Sequence, residues 1–201
     1  MPGDPLRVVL PAALEKWPEH LRGRLSVGLK PAGVLVPIIE RADALSVLLT
    51  RRSSALRYHA SQVSFPGGRM ESADADIRAT ALRETWEEVG IPPTDVEVAG
   101  YLDPTPTITG YAVTAVVGFV RPEAKLIIDP GEVERAFEVP LDYLLDAANQ
   151  RASEREYNGV RVPIVEFRFA SERIWGATAN ILLTLRNALL VPSFGAGVVG
   201  S

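Results

Sequence analysis

The chain has 201 residues, of which 47% are hydrophobic and 23% charged, and its formal net charge is -4. A chain of this size and composition is typical of one globular domain that buries a core without covalent staples. The absence of cysteine excludes disulfides, thiolate metal ligands and a cysteine nucleophile, and two histidines are too few for a multi-histidine metal centre. The negative net charge argues against a nucleic-acid partner.

We expect neither a membrane-spanning segment nor a signal peptide in this sequence. No uncharged apolar run is long enough to span a bilayer. Residues 1–20 contain prolines and acidic residues where a signal peptide needs an apolar core. We expect one domain over residues 1–201, with an N-terminal extension at 1–30 and a flexible tail at 192–201. We also expect a cytoplasmic protein with no membrane partner. The apolar terminal segments predict either a homodimer contact or a cover for the sheet.

The first third of the chain predicts a short helix and a β-hairpin. Residues 11–22 are weakly helical, but Pro18 interrupts them, which indicates a short helix or a broken turn. Residues 32–40 and 44–52 are rich in Val, Ile and Leu and are separated by a polar step, a pattern typical of paired strands. A polar connector with several arginines then leads to a Pro-Gly-Gly turn.

A central helix follows this turn. Either Asp74 or Asp76 is suited to cap its N-terminus, and Gly90, followed by an isoleucine and two prolines, predicts its end. One side of the helix is less polar and is expected to pack on a sheet: Ile77, Ala81, Leu82, Thr85, Trp86 and Val89. We expect Trp86, and likewise Trp175, to lie in the core.

The second half of the chain alternates between predicted strands and helices. Strands are expected at 96–102, 111–120 and 160–169. Between the last two strands, the sequence predicts a short strand, an acidic turn at 129–134 and a short helix after Pro140. Residues 177–190 have helical periodicity with an apolar face. Because strands lie on both sides of the central helix, the predicted fold is an α/β/α sandwich.

The central helix carries an unusual concentration of charge at Arg83, Glu84, Glu87 and Glu88. Residues three and four apart share one helix face, so the three glutamates are predicted to converge on one spot. Such carboxylates repel one another, and a hard divalent cation removes the repulsion. The pattern therefore predicts a magnesium site for phosphate chemistry, with a solvated acidic helix end as the alternative.

This segment resembles the Nudix box, Gly-x5-Glu-x7-Arg-Glu-U-x-Glu-Glu-x-Gly-U, in which U is apolar. The residues at matching positions are Gly68, Arg83, Glu84, Glu87, Glu88, Gly90 and Ile91. The sequence departs from the box in two places. Asp74 replaces the first glutamate with eight residues instead of seven before Arg83, and Thr85 replaces an apolar residue. The resemblance implies a Nudix fold, with a mixed sheet and a catalytic loop-helix-loop, and makes Asp74 a doubtful ligand.

The segment before the box is similar to a signature of the coenzyme A pyrophosphatases among the Nudix hydrolases, Leu-Leu-Thr-x-Arg-Ser-x3-Arg-x3-Gly-x3-Phe-Pro-Gly-Gly. Ten residues match it in type and spacing: Leu48, Leu49, Thr50, Arg52, Ser53, Arg57, Phe65, Pro66, Gly67 and Gly68. Ser61 stands where the signature has glycine.

The two resemblances imply a set of site residues. Magnesium, with manganese as the alternative metal, is expected on the Gly67 carbonyl, Glu84, Glu87 and Glu88. Arg83 is expected to hold a carboxylate in place through charge-assisted hydrogen bonds. The general base is open between a box glutamate and a later acidic residue, for which Glu132 is preferred over Glu134. The expected substrate-binding residues are Arg52, Ser53, Arg57, His59, Phe65 and Gly68.

Arginine suits the substrate site because its planar fork binds phosphate bidentately. For His59, a contact with adenine or phosphate and a structural hydrogen bond are equally open. The implied activity is hydrolysis of the pyrophosphate bond of coenzyme A or its derivatives. The alternatives are hydrolysis of ADP-ribose, dinucleotides or modified nucleoside triphosphates by a Nudix enzyme, and a non-catalytic module that binds a nucleotide.

Overall fold

The computed structural model describes residues 9–11, 13–14, 28–41, 44–157 and 159–190. Its first strands form the predicted hairpin: β1, Lys30–Glu40, pairs antiparallel with β2, Leu45–Arg52. Both strands are almost continuously buried, as expected of strands that are covered on both faces.

The main sheet contains eight strands in a mixed arrangement. Besides β1 and β2 it contains Val63–Ser64 (β3), Gly67–Arg69 (β4), Val96–Tyr101 (β5), Thr105–Pro106 (β6), Tyr111–Val120 (β7) and Val133–Pro140 (β8). The order across the sheet is β3-β2-β1-β7-β5, while β4 pairs with β1, β6 with β7 and β8 with β2. Among the described strands of this sheet, only β1 and β7 pair in parallel. The predicted strands at 96–102 and 111–120 are confirmed.

The central helix, α1, spans Ile77–Val89 and has the predicted ends. The side chain of Asp76 accepts a hydrogen bond from the backbone N–H of Ala79 at 2.7 Å, so Asp76 is the N-cap. Gly90 ends the helix in the left-handed region with φ 75°. These local signals are sufficient to set both boundaries.

The core consists of two apolar clusters, one on each face of the main sheet. One cluster joins Leu35, Leu48 and Val116 of the sheet to Ala81 and Val89 of α1. The other lies on the opposite face and includes side chains from the C-terminal half of the chain. Neighbouring residues of one strand point to opposite faces, which explains why a single strand supplies both clusters. The α/β/α sandwich is confirmed.

The opposite face is covered by helices and by a second, three-stranded antiparallel sheet. The helices are α2, Leu141–Leu145, and α3, Ala177–Leu190, and both confirm predictions. The second sheet contains Gln150–Tyr157 (β9), Val160–Phe169 (β10) and Glu172–Trp175 (β11). Of these strands only β10 was predicted, since β9 is mostly polar and β11 has only four residues.

Three expectations need correction. The acidic segment at 129–134 runs directly into β8, so the only strand of that region follows the turn. Trp86 is 59% exposed because it lies at the edge of the buried face of α1. Trp175 is half-buried on the second sheet, where the guanidinium of Arg155 lies 4.5 Å from its ring centroid. Neither tryptophan belongs to the core.

The chain ends are described only in part. Leu10 and Leu14 are buried against the face of the sheet that α3 covers, so this part of the predicted N-terminal extension belongs to the core. Residues 12 and 15–22 of the predicted helix, and the tail at 192–201, lie outside the described residues. Within the described ranges, the structure has no helix that is both long and apolar enough to cross a bilayer.

Candidate active site

The site is built where β4 passes between β1 and α1. A side chain at Gly67, which has φ 150°, would meet the carbonyl oxygen of Gly33 at 2.4 Å. A Cβ at Gly68 would lie 2.5 Å from the carboxylate of Glu84. The glycine pair is therefore required by contacts within the protein, and it allows the Glu84 carboxylate to lie directly against the backbone of the loop.

Glu88 is the most deeply buried acid of the helix, with 1% of its surface exposed. Its Oε1 accepts a hydrogen bond from Nη1 of Arg52 at 3.3 Å, and its Oε2 accepts one from the backbone N–H of Gly67 at 3.3 Å. Burial raises the pKa of Glu88 to about 8; Arg52 and the Gly67 N–H oppose the rise, while the charges of Glu132 and Glu84 add to it. The protein thus buries a carboxylate whose charge it neutralises only in part.

Arg83 is held on its side of the helix by Asp74. Its Nε and Nη2 donate to the two carboxylate oxygens of Asp74, each at 2.9 Å. Asp74 also accepts from the backbone N–H of Glu71 and from the hydroxyl of Thr80. The hydrogen bonds from Arg83 hold the pKa of Asp74 well below its usual range. Asp74 therefore positions Arg83, a role that the sequence did not suggest.

Arg83 in turn draws two of the box glutamates towards itself. Its Nη1 donates to Glu84 at 3.0 Å and to Glu87 at 2.9 Å. Glu87 is 54% exposed, whereas Glu88 faces Arg52 on the inner side. Across the described part of the chain, no three acidic or histidine side chains form a group that could hold a metal. The predicted convergence of the three glutamates is wrong, because two arginines pull their carboxylates apart.

The two acids beside the glycine pair, Glu84 and Glu88, fit a hard cation. Burial raises the pKa of Glu84, Arg83 opposes the rise, and the charges of Glu87 and Glu132 add to it. The charge of Glu132 also adds to the rise at Glu88, and its loop is tied to α1 by the hydrogen bond from the N–H of Asp129 to the backbone carbonyl of Glu88 at 3.1 Å. Donors made only of oxygen, with excess negative charge, suit magnesium or manganese. The residues present fit a divalent metal, with Glu84 and Glu88 on either side of the glycine pair.

The two candidates for a later acidic residue have different surroundings. The backbone carbonyl of Glu132 accepts a hydrogen bond from the N–H of Ser53 at 2.8 Å, which ties this loop to the end of β2. Glu134 instead forms an ion pair with Arg51 at 3.3 Å on the other side of the strand. The loop that carries Glu132 lies beside the C-terminal end of α1, where the N–H of Asp129 donates to the carbonyl of Glu88 at 3.1 Å.

Some of the predicted substrate-binding residues are buried and others lie on the surface. Phe65 is buried in the apolar cluster and does not line the site, which corrects its assignment. Ser53 is also buried, and its hydroxyl accepts from the N–H of Ala55 at 3.4 Å. Arg57 and His59 are exposed on the loop that joins β2 to β3. His59 makes a hydrogen bond to Gln62 at 2.9 Å, in agreement with the structural alternative.

Residues 29–158 match the family described as the NUDIX domain. The chain belongs to the Nudix family. A Nudix hydrolase named NudL from Photorhabdus laumondii is 41% identical over 168 residues, covering 84% of this chain and 89% of the relative. NudL from Escherichia coli strain SMS-3-5 is 40% identical over 162 residues, covering 81% and 84% of the two chains. The protein is thus a Nudix hydrolase, an enzyme that acts on phosphorus-containing anhydrides.

A solved structure supports the same fold. The MutT/nudix family protein from Enterococcus faecalis aligns with 84% of this chain and 66% of its own, with a TM-score of 0.53. The two sequences are only 17% identical in this comparison, so the likeness concerns the fold alone. The mixed sheet and the loop-helix-loop that the resemblance implied are therefore those of a Nudix domain.

Proposed function

We propose that this Nudix hydrolase cleaves the pyrophosphate bond of coenzyme A or its acyl derivatives in the presence of magnesium. The products are 4′-phosphopantetheine, or its acyl form, and adenosine 3′,5′-bisphosphate. The observation that carries the proposal is the contact between Arg52 and Glu88. It joins the segment that resembles the coenzyme A signature to the glutamates of the Nudix box in one site.

We assign a separate role to each group of residues in the site. Glu84, Glu88 and the Gly67 carbonyl would hold magnesium or manganese, which would neutralise phosphate charge and lower the pKa of a bound water. Arg83 keeps Glu84 and Glu87 in place, and Asp74 keeps Arg83 in place. Arg52 and Arg57 supply positive charge for the diphosphate and the remaining phosphate.

Glu132 is the proposed general base. It accepts one proton from the attacking water, whose oxygen forms a bond to one phosphorus while the bond from that phosphorus to the bridging oxygen breaks. The effect of its charge on the pKa of Glu84 and of Glu88 supports this assignment, and the ion pair of Glu134 with Arg51 speaks against the rival candidate.

Product analysis tests the substrate. The purified protein is incubated with magnesium and one of four compounds: coenzyme A, ADP-ribose, a dinucleoside polyphosphate or a modified nucleoside triphosphate. We expect the highest kcat/KM for coenzyme A and release of adenosine 3′,5′-bisphosphate. A preference for ADP-ribose would overturn the choice of substrate. Tight binding of a nucleotide without cleavage under any divalent ion would favour a binding module. The cytoplasmic location and a homodimer stay predictions.

A further inference from the structure

Arg52 and its neighbour Arg51 serve opposite sides of the same strand. Successive side chains of a strand point to opposite faces, so Arg51 reaches Glu134 and Glu172 while Arg52 reaches Glu88. The backbone of Arg52 is held by two hydrogen bonds to the far end of the following loop. Its N–H donates to the carbonyl of Gln62 at 2.9 Å, and its carbonyl accepts from the N–H of Ser61 at 3.1 Å. A change of partner by Arg52 therefore needs only a change of side-chain rotamer.

The hydrogen bond from Arg52 to Glu88 is longer than the other arginine–carboxylate hydrogen bonds of this site. A single nitrogen makes the contact at 3.3 Å, whereas charge-assisted bonds of this kind usually measure about 2.7–2.9 Å. Arg83, by comparison, grips Asp74 with two parallel bonds of 2.9 Å. The Arg52 side chain is also 23% exposed, so its guanidinium can reach solvent and an entering anion.

We propose that Arg52 competes with the divalent metal for the Glu88 carboxylate and, once displaced, binds the diphosphate of the substrate. The inference rests on the proposed metal-dependent function but not on coenzyme A as the substrate. A guanidinium against Glu88 opposes the approach of a second cation through Coulomb repulsion. Metal at Glu88 therefore releases Arg52 for phosphate, and phosphate on Arg52 clears Glu88 for metal. Such coupling is reciprocal, so each ligand must tighten the binding of the other.

The test measures Mn²⁺ binding to the whole protein without substrate, by electron paramagnetic resonance or calorimetry. Arg52→Gln should bind Mn²⁺ about tenfold more tightly than the wild type, since the competing charge is gone. Arg57→Gln is the matched control: it removes the same charge from the neighbouring loop, where Arg57 lies against Tyr58. Its Mn²⁺ affinity should stay within about twofold of the wild type. Arg52→Met provides a second neutral variant if Arg52→Gln does not fold.

A second measurement adds methylene diphosphonate, a diphosphate analogue that cannot be hydrolysed at its bridge. This analogue should tighten Mn²⁺ binding to the wild type at least fivefold more than it does in Arg52→Gln. Equal Mn²⁺ affinity of the wild type and Arg52→Gln overturns the inference alone, and so does an equal gain in Arg57→Gln. Failure of the wild type and both variants to bind Mn²⁺ overturns the metal-dependent function together with the inference.

Discussion

Replacing Glu88 by glutamine should stabilise the protein while it abolishes turnover. The pKa of Glu88 is about 8 in the fold, above its ordinary value of 4.5. Between these two values the folded protein binds more protons than the unfolded chain, so the free energy of unfolding falls as the pH rises. The destabilising contribution is absent below the unfolded pKa and complete above the folded one. Glutamine has the same shape and does not titrate, so it lacks this contribution.

The magnitude follows from the pKa difference. Each pH unit between the two pKa values changes the free energy of unfolding by about 1.4 kcal/mol. From about pH 5 to about pH 7, the stability of the wild type should therefore fall by about 3 kcal/mol relative to Glu88→Gln. A chain of this length typically unfolds with a free energy of only about 5–15 kcal/mol, so the effect is measurable.

The assay is urea unfolding in the presence of EDTA at several pH values, with turnover measured separately in magnesium. Glu87→Gln is the matched control, because Glu87 is exposed and its pair with Arg83 is worth about 0.2–1 kcal/mol. A stability difference between Glu88→Gln and the wild type that does not change with pH would refute the reasoning. So would near-normal turnover of correctly folded Glu88→Gln, which would also end the assignment of Glu88 as a metal ligand.

Three further substitutions test other parts of the site. Ser61 has φ 59°, a backbone conformation that is strained for any residue with a Cβ. Ser61→Gly should therefore raise the free energy of unfolding by about 0.5–1 kcal/mol, whereas Ser61→Ala should not. Equal effects of the two substitutions in urea unfolding would contradict strain at this residue. Gly68→Ala should lower kcat at least about tenfold, because the added methyl group displaces the Glu84 carboxylate. Gly67→Ala should instead lower the free energy of unfolding by about 3 kcal/mol, because its methyl group clashes with backbone atoms. Enzyme kinetics detects the first effect and thermal unfolding the second. Asp74→Asn should lower kcat and cost about 2 kcal/mol above about pH 4. Because the pKa of Asp74 is below its ordinary value, that loss should vanish in more acidic solution; a loss that persists there would contradict the ion pair.

Ser61 shows how sequence and structure explain each other. The coenzyme A pyrophosphatase signature has glycine at this position, and the structure gives Ser61 a positive φ of 59°. Glycine adopts this region without steric cost, whereas a residue with a Cβ is strained there. His59, two residues earlier, also has a positive φ. The departure from the signature is therefore expected to lower the stability of the loop.

The second sheet marks the limit of reading strands from sequence. Strand β9 is mostly charged and polar, and it has no alternating apolar face to announce it. It forms because β10 lies beside it, with eight residues in register. In contrast, the boundaries of α1 were readable in advance, because Asp76 and Gly90 act on the helix ends within a few residues.

The sequence by itself determined the Nudix family, the cluster of carboxylates on the central helix and both ends of that helix, because each depends on residue types at short, fixed spacings. Only the tertiary structure decided which charge neutralises which carboxylate. Arg52 and Glu88 are 36 residues apart, and the charge of Glu132, on another loop, adds to the rise in the pKa of Glu88. Such pairings depend on how the strands and the helix pack, and Coulomb attraction then determines which neighbouring charges form ion pairs. For that reason the three glutamates, predicted to converge, are divided between Arg83 and Arg52.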